Sequence, residues 1–333
     1  MHTFKAKFLP FIGLSFFALL LTACGATQPK TSAQADTACL NRIEATLQSI
    51  DRAEDVAAAA MDPEQSVIRP GNESVVLRGN PKKVVFLLHG FISSPFEVRP
   101  LGEALHAQGY TVVMPLLAGF GRSTNVSVIT KSADWMSVTQ AQLQASMLCG
   151  SKIQVVGFSL GALIETKLLL ENPDLKSEVA SLTLISPALS IRTHSFMGVE
   201  TAILNTVNST PLIGTLATAA RAAHNNDLNI PEANPEHYNV EMPMDAAREL
   251  KILVTKINYE QFENFPMPVK VIYSEADSTV DGATGFQSIA AVDPGATAYA
   301  FPASLGVEHQ LLLSSVQGVL ETTADQVLGN FVN

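Results

Sequence analysis

Apolar and polar positions change their period several times along the chain, and each change marks an element. Leu40, Ile43, Leu47 and Ile50 recur at helical spacing, which predicts an amphipathic helix over residues 38–60. Residues 67–77 have room for one or two short edge strands. Beyond them, short apolar runs predict buried strands at 84–88, 110–114, 153–156, 182–186 and 269–273. Helical patterns fall between them. Val98, Leu101 and Leu105 share one face of a helix at 98–107, Asp134 stands as N-cap to a helix at 135–148, and a third helix covers 160–170. Strand and helix in alternation imply an α/β domain whose mostly parallel sheet is covered on both faces.

The rhythm breaks after Ser186-Pro187 and resumes only at Val269. Helical patterns at 199–207, 212–223 and 244–257 fill the gap, with Asn225-Asn226, Pro231, Pro235 and Pro243 as breakers. An insertion there lies over the carboxyl ends of the strands, where open α/β sheets bind ligands. Residues 188–266 therefore read as a small helical cap. Phe196, Leu204, Leu212, Ile213 and Leu216 either line a pocket or pack the cap onto the core.

The chemistry centres on Gly157-Phe158-Ser159-Leu160-Gly161. A strand leads into this Gly-x-Ser-x-Gly and a helix leaves it, the setting in which the motif exposes a serine on a sharp turn. The flanking glycines leave room for that turn. A serine hydroxyl is a weak nucleophile and needs a base. His309, in Val307-Glu308-His309-Gln310, is the base expected, in preference to His89. The acid comes from Glu275-Ala276-Asp277 or the following Asp281; Asp277, just past a strand end, is favoured, and Asp281 has an alternative use as the cap of a helix near Gly282. The order serine, acid, histidine differs from that of the chymotrypsin and subtilisin types.

From about Lys82 onward the chain resembles the α/β-hydrolases of the bacterial carboxylesterase and monoacylglycerol-lipase-like group. The matching pieces are His89-Gly90-Phe91, the run from Pro115 to Gly121, Asp134-Trp135, the serine pentapeptide, Asp277 followed by Val280, and His309. The resemblance implies an α/β-hydrolase fold, a Ser159–Asp277–His309 triad, and an oxyanion hole made by the N–H groups of Phe91 and Leu160. It also gives His89 the role of fixing the oxyanion loop. Two positions depart from the pattern: Gly119-Phe120-Gly121 stands where the family often has Gly-His-Gly, and Glu308-His309 where it has Gly-His. The first bears on the mouth of the pocket.

The N-terminus adds a location. Lys5 and Lys7 precede an apolar stretch from Phe8 to Leu21, too short to span a bilayer comfortably and built like a secretory signal. Leu21-Thr22-Ala23-Cys24 looks like a bacterial lipobox, which implies a signal peptide at 1–23, lipid attachment to Cys24 and a place in the cell envelope. Gly25 after the cysteine favours the outer membrane by the same likeness. Residues 24–37 read as a flexible polar tether, and 38–333 as the hydrolase domain. Of the three cysteines, lipidation of Cys24 leaves Cys39 and Cys149. An oxidising compartment makes them candidates for a disulfide, with two separate buried thiols as the alternative.

Composition narrows the classes. The 47% hydrophobic content of 333 residues supplies a large core. The formal charge, −10, falls to −12 without Lys5 and Lys7, and no basic cluster invites nucleic acid. The seven histidines show no metal-ligand spacing; His106 reads as helix filler, and His194, His224 and His237 as solvated. The expected function is cofactor-independent and metal-independent cleavage of carboxylic esters with short to medium acyl chains, monoglycerides among them. A thioesterase or acyltransferase would use the same triad; a non-catalytic envelope lipoprotein would keep the fold alone. Oligomeric state is not legible here.

Overall fold

The computed structural model describes residues 32–60, 67–122, 130–192, 218–220, 234–239 and 241–332. Seven strands form the main sheet: β1 (Val75–Leu77), β2 (Asn80–Leu88), β3 (Tyr110–Met114), β4 (Ile153–Phe158), β5 (Val179–Ile185), β8 (Val269–Ser274) and β9 (Thr297–Phe301). Their order is β1-β3-β2-β4-β5-β8-β9. Only β1 runs antiparallel, pairing Val75 with Met114. The others are parallel, and β4 sits in mid-sheet between β2 and β5.

Period-two alternation sends side chains to both faces. Val84, Phe86 and Leu88 of β2 join one core, packed by α1 (Ser32–Ala59), α3 (Ser132–Ser146), α4 (Leu160–Glu171), α5 (Pro173–Ser177) and α6 (Met244–Thr255). Val85 and Leu87 join a second core with α2 (Arg99–Ala107) and α8 (Val319–Leu328). A strand buried on both sides needs an uninterrupted apolar run, which is why β2 to β5 and β8 stand out in the sequence.

Several expectations are corrected. Helix α1 begins at Ser32, inside the segment read as tether; Ala33 and Ala35 favour helix over coil. Helix α3 starts at Ser132, so Asp134 is not its N-cap but a first-turn residue whose carboxylate accepts the Lys131 N–H at 2.8 Å. Residues 218–220, read as helix, form strand β6 (Thr218–Ala220), paired antiparallel with β7 (Glu241–Pro243). Strand β9 escaped the reading because its Thr-Ala-Tyr-Ala-Phe lies at the sheet edge and is buried only at Phe301. The proposed helix at 199–207 and Phe196, Leu204, Leu212, Ile213 and Leu216 lie outside the described residues, as do Cys24, the signal segment, His194 and His224.

Cys39 on α1 and Cys149, just after α3, form a disulfide with Cα atoms 5.2 Å apart. It closes a loop of 110 residues, worth roughly 4–5 kcal/mol by chain entropy. The far end of α1 is tied by polar contacts. Asp51 accepts the Ser74 N–H at 2.9 Å and its hydroxyl at 2.8 Å. Arg122, buried to 1% exposure, reaches Asp55 at 2.8 Å and the carbonyls of Asp51 and Phe120. Helix α1 therefore braces the loop that follows β3.

Candidate active site

Four loops meet at the carboxyl edge of the sheet, after β2, β4, β8 and β9. Ser159 joins β4 to α4 with φ 53° and ψ −112°, a conformation that non-glycine residues rarely hold. Its N–H bonds the Ile185 carbonyl at 2.9 Å, and its own carbonyl accepts from Leu163 and Ala188. Close packing explains the motif's glycines: a Cβ on Gly157 would fall 2.5 Å from the Ala162 nitrogen, and one on Gly161 2.5 Å from the Leu88 oxygen.

His309 Nε2 stands 2.9 Å from Ser159 Oγ, and His309 Nδ1 stands 2.8 Å from Asp277 Oδ2. The other Asp277 oxygen accepts the N–H groups of Thr279 at 2.8 Å and Val280 at 2.9 Å. Three donors therefore fix the orientation of this one buried carboxyl. A carboxylate accepts from Nδ1–H, which leaves the Nε2 lone pair facing the serine hydroxyl. The rival acids are engaged elsewhere. Asp281 caps α7 (Gly282–Ala290), accepting the Thr284 N–H at 3.0 Å, and that bond holds its carboxyl below the usual range. Glu275 accepts the Ala303 N–H at 3.1 Å.

The turn after β2 packs against the serine: a Cβ on Gly90 would lie 3.2 Å from Ser159 Cβ. His89 is buried and fixes this turn. Its Nδ1 bonds the Gly90 carbonyl at 2.9 Å, while its Nε2 accepts the Leu117 N–H at 3.0 Å. Burial pushes its pKa down to about 3, so it stays neutral. Leu160 opens α4, where the N–H has no intrahelical acceptor and the helix dipole is positive. Phe91 anchors an aromatic cluster, 5.6 Å from Phe120 and 6.2 Å from Trp135 by ring centroid.

Both departures from the family pattern find a place. Phe120 is fully buried, with its ring against those of Phe91 and Trp135, so it packs on the turn after β2. Glu308 accepts the Ser278 N–H at 3.2 Å, tying the histidine loop to the acid loop. His237, read as solvated, is stacked on Phe96 at 4.0 Å and bonded to Asn72 at 2.7 Å.

Sequence reasoning missed two buried carboxyls that lie against Gly90 and Gly157. Glu97, on a short 3-10 turn at Pro95–Val98, accepts the Gly90 N–H at 2.7 Å. Glu165, within α4, has no hydrogen-bond partner among the described residues, and burial raises its carboxyl well above the usual range. Glu97 carried no signal, standing just before the helix expected at 98–107. Glu165 carried a signal: it follows Leu163-Ile164 and precedes Leu168-Leu169-Leu170 in a helix apolar almost all round. Among the described residues no cluster of histidine, cysteine, aspartate and glutamate suits a metal ion.

The family described as serine aminopeptidase, S33 (Hydrolase_4) matches residues 79–305. A thermostable monoacylglycerol lipase of Bacillus sp. (strain H-257) is 34% identical over 113 residues, 34% of this chain and 44% of that protein. The chain thus aligns with less than half of that relative's length. Among solved structures, one of a pair of metagenome-derived lipolytic enzymes superposes with a TM-score of 0.60 at 19% identity, over 79% of this chain and 99% of that one. A monoacylglycerol lipase of Paleococcus ferrophilus gives 0.60 at 15% identity, over 77% and 98%. A soluble variant of the monoglyceride lipase of Saccharomyces cerevisiae gives 0.61 at 12%, over 78% and 92%. These structural likenesses bear on the fold, which is that of the α/β-hydrolases.

Proposed function

The chain belongs to the serine aminopeptidase S33 family of α/β-hydrolases, and on that footing we propose that it is a serine hydrolase of carboxylic esters. The observation that carries the reading is the continuous relay from Ser159 Oγ through His309 to Asp277, with steps of 2.9 and 2.8 Å. As Oγ bonds to the ester carbonyl carbon, His309 Nε2 takes the hydroxyl proton. The carbonyl oxygen becomes an oxyanion, held by the N–H groups of Phe91 and Leu160. The bond to the alcohol oxygen then breaks, and His309 returns the proton to the leaving alkoxide. Water, deprotonated by the same nitrogen, adds to the acyl-enzyme; collapse frees the acid and restores the Ser159 hydroxyl. Asp277 orients the imidazole throughout.

Neutral esters of short to medium acyl chains are the proposed substrates, monoglycerides among them. Support comes from the local identity to a monoacylglycerol lipase and from the apolar residues of the insert. The lipobox at Leu21-Thr22-Ala23-Cys24 supports lipid attachment at Cys24 and a station on the cell envelope. The test is turnover of p-nitrophenyl esters of two to sixteen carbons, with amino-acyl p-nitroanilides alongside. A burst of nitrophenol equal to the enzyme, absent in Ser159→Ala of unchanged circular dichroism, is expected. Full turnover in that variant, or cleavage of the anilides alone, overturns the reading.

A further inference from the structure

We propose that Glu97 is the positioning residue that sets the oxyanion turn, and that the insert segment at 234–239 holds the turn through it. The inference rests on the esterase reading above and adds a control over it. Three pieces of chain meet on this one carboxyl. Oε2 accepts the Gly90 N–H at 2.7 Å, immediately before the Phe91 donor. Oε1 accepts the Gln310 side-chain amide at 3.1 Å, immediately after the His309 base, and the Tyr238 hydroxyl at 3.2 Å. Glu97 is 1% exposed. Burial raises its carboxyl; the donors from Gly90, Gln310 and Tyr238 and the charge of His309 act the other way.

The turn it serves does not hold its shape alone. Ile92 is β-branched and sits at φ 53°, where such a residue is strained. The insert compensates at the same place: the Asn239 N–H bonds the Ile92 carbonyl at 2.9 Å. Around that bond the insert is fastened by further contacts. His237 stacks on Phe96 at 4.0 Å, Arg69 bonds the Pro235 carbonyl and the Asn239 side chain at 3.0 Å, and Asn72 bonds the Glu236 carbonyl at 2.7 Å. The segment therefore clasps residues 92–97 from outside while Glu97 reaches inward to Gly90. Oxyanion donor, base loop and insert share one anchor.

A buried carboxylate that only filled space would be replaced by glutamine at little kinetic cost. The amide has a single acceptor oxygen where two are used, and sets a donor against the Gln310 amide or the Gly90 N–H. Glu97→Gln is therefore expected to slow acylation about ten- to hundredfold, with KM within about twofold of wild type. The affinity of a trifluoromethyl ketone, whose adduct carries the oxyanion, is expected to fall with the acylation rate. Glu97→Asp, which keeps a carboxyl with two acceptor oxygens, is expected to recover part of the rate. Glu103→Gln, on an exposed side chain of α2, serves as control and keeps wild-type rates. Wild-type acylation in a folded Glu97→Gln, or a loss seen wholly in KM with unchanged ketone affinity, overturns the proposal. Ser159→Ala in parallel separates the two claims: activity surviving there overturns the esterase reading, whereas its loss beside a normal Glu97→Gln overturns only the positioning role.

Discussion

Three carboxyls near the site show how environment decides what one functional group does. Asp277 is surrounded by donors and faces the imidazole; Asp281 spends its oxygen on a helix end. Asp277→Asn is expected to lower kcat by about 10⁴, since the amide favours the wrong tautomer of His309. Asp281→Asn is expected to leave kcat near wild type and to cost at most about 1 kcal/mol of stability. Steady-state rates and thermal melts of the two variants check the pair. Glu165 is the opposite case, a carboxyl buried without a partner. Its folded pKa is raised, so in the window above its ordinary value the unfolded chain has released a proton that the folded chain still holds. Stability therefore declines as pH rises through that window. Glu165→Met, unbranched and apolar, is expected to raise stability by about 1–3 kcal/mol at neutral pH. The gain should shrink as pH falls toward the ordinary carboxyl range; an equal gain in Tm at pH 4 and pH 8 would contradict the assignment.

At the scale of elements, what could be read in the sequence was what burial writes there. Strands β2 to β5 and β8 are apolar runs because both their faces are covered. The elbow serine and its helix were legible because the turn admits only small neighbours. Strand β9 was not, since an edge strand with little burial carries little pattern. The pairing of β6 with β7 was also missed, because its partners lie far apart in sequence. Glu97 was illegible for the same reason: its worth comes from Tyr238 and Gln310, distant in the chain. Helix α1 was half legible. Its apolar stripe announced it, while its start depended on alanines that also suit a linker. The disulfide and Arg122 fasten this helix at both ends. Cys39→Ser with Cys149→Ser is expected to lower Tm markedly, by up to about 4–5 kcal/mol of stability, while kcat at 25 °C changes little. Equal melting of the two proteins would show that the staple contributes no stability.

At the scale of the whole molecule, the proposed lipid on Cys24 would join this site to a surface. In the proposed mature form, seven residues separate Cys24 from the start of α1, a reach of at most about 25 Å. A lipid on Cys24 would keep the hydrolase close to the bilayer, and a formal charge of −12 would oppose anionic lipids. Cys24→Ser is expected to appear in the soluble fraction with unchanged rates on soluble esters. Neutral monoglycerides are expected to outrun anionic phospholipids, most clearly at low salt.

The central claim is that Ser159 carries the acyl group. Labelling the purified protein with a fluorophosphonate and mapping the adduct by mass spectrometry reads this directly. One label is expected, on the peptide holding Ser159, absent in Ser159→Ala and greatly slowed in His309→Ala. A label on another residue, or ester turnover that persists with Ser159 unlabelled, would contradict it.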